Sequence, residues 1–378
     1  MKLRTKPWIR SLQPYPPGKP IEELEREYGI RDSIKLASNE NPLGPSPKAV
    51  SALREAVAGV HRYPDGGAFY LRRALAERCG VPPELLLFGN GSNELIELAV
   101  RAFVHEGDEA VVSEHAFVIY AMAVQAQGGH TTVVPARDYG HDLEAMAAAI
   151  SPRTRIVFLA NPNNPTGTLY GCGAWARFLA EVPRQTVIVV DEAYAEYVER
   201  ADYPQTLNTL GEDRPLLMLR TFSKIYGLAG LRIGYGVGSA AVIELMNRLR
   251  APFNVNVLAQ RAALAALGDD EHLERSRQVN RRGMQQLEAG IAGLGLASVP
   301  SYANFLLVRV GDAAATYENL LRRGVIVRPV PVYGLPEHVR VTVGTEAENQ
   351  RFLQALGEVV RGASRGAAAA ARGASDAV

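Results

Sequence analysis

Seven short apolar runs, near residues 85–88, 110–112, 131–134, 155–159, 187–190, 216–220 and 232–237, recur along the chain with helical or loop stretches between them. Strands that alternate with helices predict an α/β fold, with a mainly parallel seven-stranded sheet covered on both faces. Several runs break off into residues that cannot continue a strand but can bind or react. Ile156–Ala160 runs into Asn161-Pro162-Asn163-Asn164-Pro165-Thr166-Gly167, Thr186–Val190 into Asp191-Glu192-Ala193-Tyr194, and Pro215–Leu219 towards Thr221-Phe222-Ser223-Lys224. Ligands of open α/β sheets bind beyond the carboxyl ends of the strands, so these polar ends form the candidate site.

The run from Thr221 to Arg232 packs hydroxyls, one amine and an arginine into twelve positions. Thr221, Ser223 and Arg232 can donate hydrogen bonds to a phosphate, and a lysine of lowered pKa, Lys224, can condense with a carbonyl as a Schiff base. A phosphate beside an aldehyde describes pyridoxal 5′-phosphate (PLP). A Ser-Lys pair taken alone reads better as a solvated loop. Asp191 adds weight, because a carboxylate at the end of a buried strand is costly unless something positive pairs with it. A protonated pyridine nitrogen is such a partner, and protonation makes the ring an electron sink. An Asp-Glu pair could instead hold Mg²⁺, but that use needs an upstream phosphate loop of the Gly-x-x-x-x-Gly-Lys-Ser/Thr type, which the chain lacks.

Asn161, at the end of its strand, can reach a ring hydroxyl of the cofactor; a structural Asx-Pro turn is common, but the full run of twelve residues favours the cofactor contact. Leu85 to Glu94 reads as strand, glycine-rich turn and helix, the helix showing an apolar face of Leu95, Leu98/Ala99 and Ala102/Phe103. The free amides at its start make Ser92 and Asn93 phosphate candidates. Glu94 stands where a dinucleotide fingerprint needs its third glycine, which argues against a Rossmann reading.

Together these segments resemble the fold-type I PLP-dependent aminotransferases, and among them the histidinol-phosphate aminotransferases. The likeness extends over nearly the whole chain through Pro14–Pro20, Ser38–Pro42, Tyr63–Asp65, Pro252–Asn256 and Val339–Gly344. The resemblance implies that Lys224 forms the Schiff base and shuttles the proton, that Asp191 pairs with the pyridine nitrogen, and that Asn161 and Tyr194 bond the phenolic oxygen. Phe117 falls at the stacking aromatic. Ser92, Asn93, Thr221, Ser223 and Arg232 hold the phosphate, joined by Tyr63 from the neighbouring subunit of a homodimer.

Substrate recognition rests on Arg340, Arg328, Tyr15 and Asn39. In His338–Val343 a period of two sets the valines on one face and Arg340 on the other, with His338 and Thr342. Arginine's rigid fork grips carboxylate or phosphate at two points, which lysine cannot reproduce. The resemblance implies ping-pong transamination between histidinol phosphate and 2-oxoglutarate, giving imidazole acetol phosphate and glutamate in histidine biosynthesis. Aromatic amino acids as donors, a PLP decarboxylase of the same fold and a PLP-binding regulator stay open. The regulator lacks support in the short Pro-rich segment ahead of Asn39, which has no room for a DNA-binding helix-turn-helix.

Charge is nearly balanced, 41 basic against 40 acidic residues, so no basic stripe points to nucleic acid. The two cysteines, Cys79 and Cys172, lack partners at metal-ligand spacing. Neither metals nor disulfides are expected, which fits a cytoplasmic protein. The charge-free stretch Ile156–Ala176 is too rich in Asn, Pro and Gly to span a bilayer, so no membrane partner is expected. The expected organisation is an arm over 1–44 packing on the small domain, a large PLP-binding domain over 45–255, a small α+β domain over 256–361 and a flexible low-complexity tail over 362–378.

Overall fold

The structure, a computed structural model, describes residues 3–211 and 214–375, with side chains as far as residue 362. Helices α1 (Pro7–Ser11) and α2 (Ile21–Tyr28) and the two-residue strand β1 (Ile34–Lys35) make up the amino-terminal arm. After α3 (Pro47–Ala56) and α4 (Phe69–Cys79) the chain enters the main sheet. Its strands are β2 (Leu86–Gly89), β3 (Glu109–Ser113), β4 (His130–Val134), β5 (Thr154–Ala160), β6 (Val187–Asp191), β7 (Leu216–Thr221) and β8 (Gly234–Gly238). Between them lie α5 (Ser92–Phe103), α6 (Ile119–Ala126), α7 (Leu143–Ala148) and α8 (Cys172–Glu181).

The seven strands lie in the order β2-β8-β7-β6-β5-β3-β4, with β3 to β7 mutually parallel and β8 antiparallel to both neighbours. The reversal at β8 follows from its connection. Residues 222–233 turn straight back without a crossover helix, so the returning strand must run the other way. In β5 to β7 both faces are apolar, as a doubly covered sheet requires. Ile156, Phe158, Val187, Val189, Leu217 and Leu219 pack with α5 and α6 on one face. Val157, Leu159, Ile188, Val190 and Leu216 pack with Met146, Trp175 and Phe178 on the other.

Three helices follow, α9 (Ala240–Leu249), α10 (Val257–Leu267) and α11 (Asp270–Gly293). The small unit contains β9 (Ala297–Val299), β10 (Phe305–Arg309), α12 (Ala313–Leu321), β11 (Val325–Ile326), β12 (Arg328–Val330), β13 (Leu335–Thr342) and α13 (Glu346–Ser375). Its antiparallel sheet has the order β12-β13-β10-β9. Val339, Val341 and Val343 face a core with Leu287, Ile291, Phe352 and Leu356.

Contacts cross the borders suggested by the sequence. The alanine face of α10, Ala259, Ala262, Ala263 and Ala266, packs with Leu71 and Leu75 of α4, so the large unit's core continues beyond residue 255. The arm touches both units. Leu24 of α2 packs with Leu321 and Ile326, and β1 pairs in parallel with β11, whereas Trp8 Nε1 donates to the Ala126 carbonyl at the end of α6 at 3.2 Å. The stretch expected to be a flexible tail carries α13 on to Ser375; alanine's helix propensity needs no apolar periodicity to do this. Residues 376–378 lie outside the described residues. Among the described residues no helix is long and apolar enough to cross a membrane.

Phe352 is fully buried at the centre of the small unit. Phe352→Ala is expected to lower the unfolding free energy by about 3–5 kcal/mol, read from the denaturant midpoint at unchanged m-value.

Candidate functional site

A cavity of about 400 Å³ opens where the carboxyl ends of β5, β6 and β7 face the start of α5, the arm and β13. Ser92, Asn93, Phe117, Asp191, Tyr194, Thr221, Ser223, Lys224 and Arg232 line it, as do Tyr15, Asn39, Arg328 and Arg340. Two of the expected residues do not. Asn161 is turned away, its Oδ1 accepting from the Tyr170 amide at 3.1 Å and its Nδ2 donating to the Tyr170 carbonyl at 3.2 Å. That side chain closes the loop rather than reaching a cofactor; Asn164, three residues on, lines the cavity instead. Tyr63 lies outside the cavity, 84% exposed and stacked on Phe253 at 4.9 Å.

Lys224 sits just beyond β7, half-buried, its Nζ donating to the Ser38 carbonyl at 3.1 Å. Burial, then the nearby Arg340, brings its amine down to about 8. A buried ammonium loses hydration, so the neutral amine is favoured. Asp191 follows Val187 and Val189 on the α6 face of the sheet by strand alternation, and accepts from the Tyr120 hydroxyl at 2.8 Å and the Ala193 amide at 3.2 Å. Burial raises its pKa, and the Tyr120 hydrogen bond opposes the rise. Glu192 emerges on the opposite face and is held by Arg220 at 2.7 Å. The two carboxylates of the Asp-Glu pair therefore cannot share one ion.

Tyr194 accepts from Asn39 Nδ2 at 2.8 Å, which leaves its own proton free to donate. Burial pushes the phenol up to about 12, so it stays a donor near neutral pH. Asn39 is itself clamped by Thr342, whose hydroxyl accepts from the Asn39 amide at 2.9 Å and donates to Oδ1 at 3.1 Å.

At the other wall the first turn of α5 carries no side-chain cap, and its first two residues, Ser92 and Asn93, line the cavity, so the amides that a helix start leaves unpaired lie at the wall. Glu94 accepts from the Asn254 amide at 2.7 Å and also from the Asn90 N–H, which closes the turn without the third glycine of a dinucleotide loop. Glycine is required at two places here. A Cβ on Gly91, whose φ is 79°, would stand 2.6 Å from Arg232 Nη2, and one on Gly234 would stand 2.5 Å from the Ser92 amide. The guanidinium, the free amides and the Thr221 and Ser223 hydroxyls thus form a cradle for a phosphate that side chains at 91 and 234 would fill. The cradle, the amine and the buried carboxylate fit the phosphate, aldehyde and ring nitrogen of PLP.

Arg340 is almost wholly buried, donating to the Ala37 carbonyl at 2.7 Å and to Asn164 Oδ1, while its Nε has no partner. Arg328 donates to the Pro16 carbonyl at 2.8 Å and lies 5.4 Å from the Tyr15 ring centroid. An orphaned buried donor costs about 1–3 kcal/mol until an acceptor arrives, which suits an anionic substrate group. Sequence reasoning missed Glu40, Asn164 and Tyr120 on the cavity wall. Glu40 and Asn164 lie inside segments already singled out, whereas Tyr120 sits in an apolar helix with only its spacing of three from Phe117 as a signal.

The model of aminotransferase class I and II matches residues 31–356. A histidinol-phosphate aminotransferase of Methylobacillus flagellatus is 54% identical over 355 residues, 93% of this chain and 96% of that protein. A histidinol-phosphate aminotransferase 2 of Pseudomonas fluorescens is 54% identical over 94% of this chain and 96% of its own length. Among solved structures, a histidinol-phosphate aminotransferase from Sinorhizobium meliloti in complex with pyridoxal-5′-phosphate superposes with a TM-score of 0.88 at 32% identity, covering 96% of this chain and 99% of that one.

Only a neutral amine attacks an aldehyde. Borohydride-trapped attachment of a small aldehyde at Lys224, located by peptide mapping, is expected to rise with pH through a midpoint near 8 rather than the ordinary lysine value of 10.5. A midpoint above 10 would contradict the environment described.

Proposed function

The chain belongs to the aminotransferase class I and II family, and we propose that it moves the amino group of histidinol phosphate to 2-oxoglutarate in histidine biosynthesis, with PLP as cofactor. The observation that carries this reading is the meeting, in one cavity, of a lysine lowered to about 8, the buried Asp191 and the two arginines Arg340 and Arg328. When bound, PLP supplies an aldehyde for amines and a protonated ring that draws electrons from the carbon losing its proton. Ser92, Asn93, Thr221, Ser223 and Arg232 would hold the phosphate, and Phe117 would stack on the ring. Tyr194 and Asn164 would donate to the phenolic oxygen, Asn164 through the amide nitrogen left free by its contact with Arg340. Lys224 Nζ would take the proton from the amino-bearing carbon of the donor and deliver it to the carbon that carried the cofactor's aldehyde, so that the donor leaves as a keto product.

Arg340 and Arg328 serve the anionic groups of the substrates, the phosphate of histidinol phosphate and the carboxylates of the amino acids. Tyr15 closes over Arg328, and Asn39 acts by holding Tyr194. This shared pair of arginines explains how one site accepts both halves of a ping-pong reaction. Steady-state assays with 2-oxoglutarate as acceptor are expected to give histidinol phosphate the highest kcat/KM among histidinol phosphate, phenylalanine, tyrosine and histidine. Arg340→Ala is expected to lower kcat/KM for every donor by about 10²–10³, the value of a lost two-point charged contact of about 3–4 kcal/mol. A wide lead for phenylalanine would sink the histidinol phosphate assignment while leaving the family unaffected.

The acting form is a homodimer in which Tyr63 reaches the partner's phosphate site. Support comes from the exposed apolar group of Val57, Val60, Tyr63, Phe69, Tyr70 and Phe253, unusual on a free surface. Mixing the inactive variants Lys224→Ala and Tyr63→Ala, with subunit exchange, is expected to restore activity, because hybrid dimers hold one site with both residues intact. No restoration would place Tyr63 outside the site. A cytoplasmic location is in keeping with two unpaired cysteines.

A further inference from the structure

Tyr120 is the second residue of α6 and is 1% exposed, in a run, Ile119-Tyr120-Ala121-Met122, that otherwise reads as an apolar helix face. A buried phenol of this kind is ordinarily a core residue with its oxygen satisfied by main chain. Here the oxygen donates to Asp191 Oδ2 at 2.8 Å. The ring is fixed on two sides, stacked on Phe158 of β5 at 4.7 Å with 4° between planes and set edge-on to Phe117 at 5.7 Å. Neither contact leaves it free to swing away. Tyr120 also lines the cavity beside Asp191 and Phe117.

We propose that Tyr120 is a positioning residue, whose hydroxyl fixes the Asp191 carboxylate in orientation and in its ionised state for the ring nitrogen of bound PLP. The inference rests on the PLP reading given above. Asp191 Oδ1 is already engaged by the Ala193 amide, so Tyr120 determines how the second oxygen is directed. The groups facing Asp191 are Tyr120 from α6, Lys224 from the turn after β7, and Glu192 and Tyr194 from its own strand end. Burial and Glu192 favour the neutral acid, whereas Tyr120, Ala193 and Lys224 favour the carboxylate. Burial holds the Tyr120 hydroxyl well above its ordinary value, so it remains a donor throughout the working pH range. A carboxylate that took up a proton would no longer draw one onto the pyridine nitrogen, and both retention of the cofactor and its electron-withdrawing strength would suffer.

Tyr120→Phe removes one oxygen and keeps both ring contacts. The dissociation constant of PLP, measured by fluorescence titration of cofactor-free protein, is expected to rise about tenfold to a hundredfold, the range for a hydrogen bond to a charged group. The absorption band of the bound cofactor is expected to shift with it. In the double variant Tyr120→Phe/Asp191→Asn binding should be no weaker than in Asp191→Asn alone, because the hydroxyl acts through the carboxylate. An unchanged dissociation constant and spectrum in Tyr120→Phe, or losses that simply add in the double variant, would overturn the proposal. If Tyr120→Phe does not fold, Phe158→Leu, which keeps the hydroxyl but loosens its ring, must still weaken PLP binding; parental binding there overturns the proposal equally. Failure of the parent protein to bind PLP at all would instead refute the cofactor reading.

Discussion

Removal of water from the ends of β6 and β7 is the constraint on which the site depends. It acts in opposite senses on two neighbours, pushing the Lys224 amine down and the Asp191 carboxyl up, each towards its neutral form. Neither group would be stable so deep without compensation, and what the chain supplies leaves both shifted: a carbonyl, the Tyr194 ring and the charges of Glu40 and Asp191 for Lys224, and one phenol, one amide and the Lys224 amine for Asp191. At the effective dielectric of such sites, a unit charge about 4 Å from an opposite one is worth about 4 kcal/mol, more than any of these single hydrogen bonds. A ligand carrying a cationic nitrogen at one side and an electrophilic carbon at the other therefore relieves both strains together. The sheet makes this arrangement possible because Ala160, Asp191 and Leu219 stand side by side in register, so their successors leave the sheet at one level.

Much of this was legible in the sequence because burial and strand period leave direct marks. The apolar runs ending in Asp191 and leading to Lys224 mark both as strand-end residues, and the alternation of Val339, Arg340 and Val341 fixes which face the arginine takes. Asn161 turns away from the cavity for a physical reason. Being first after a strand sets where an amide begins, but the path of the loop sets where it points, and here the Tyr170 main chain claims it while Asn164 meets Arg340. Tyr120 was invisible because its apolar neighbours are those of any core helix, and only the third dimension brings α6 beside the end of β6. The alanine face of α10 and the contact of Trp8 with α6 are likewise tertiary choices, since small residues or a lone indole suit several neighbours equally.

The arm shows how selection of a substrate can be separated from the chemistry. Its first helix is tied to the large unit through Trp8 and its second to the small unit through Leu24, so the proline-rich stretch between them, carrying Tyr15 and Gly18, is stretched across the cavity. Prolines fix φ and leave little freedom to lose, so holding this strap in place costs less entropy than a glycine-rich one would. Arg328 is oriented by the strap itself, through the Pro16 carbonyl and the face of Tyr15, whereas Arg340 is oriented by Ala37 and Asn164. Two guanidiniums at one end of a cavity repel each other unless each is separately anchored. Anchoring them on different segments lets the pair stand open for an oxyanion while Lys224, Asp191 and Tyr194 keep one geometry whichever substrate is bound.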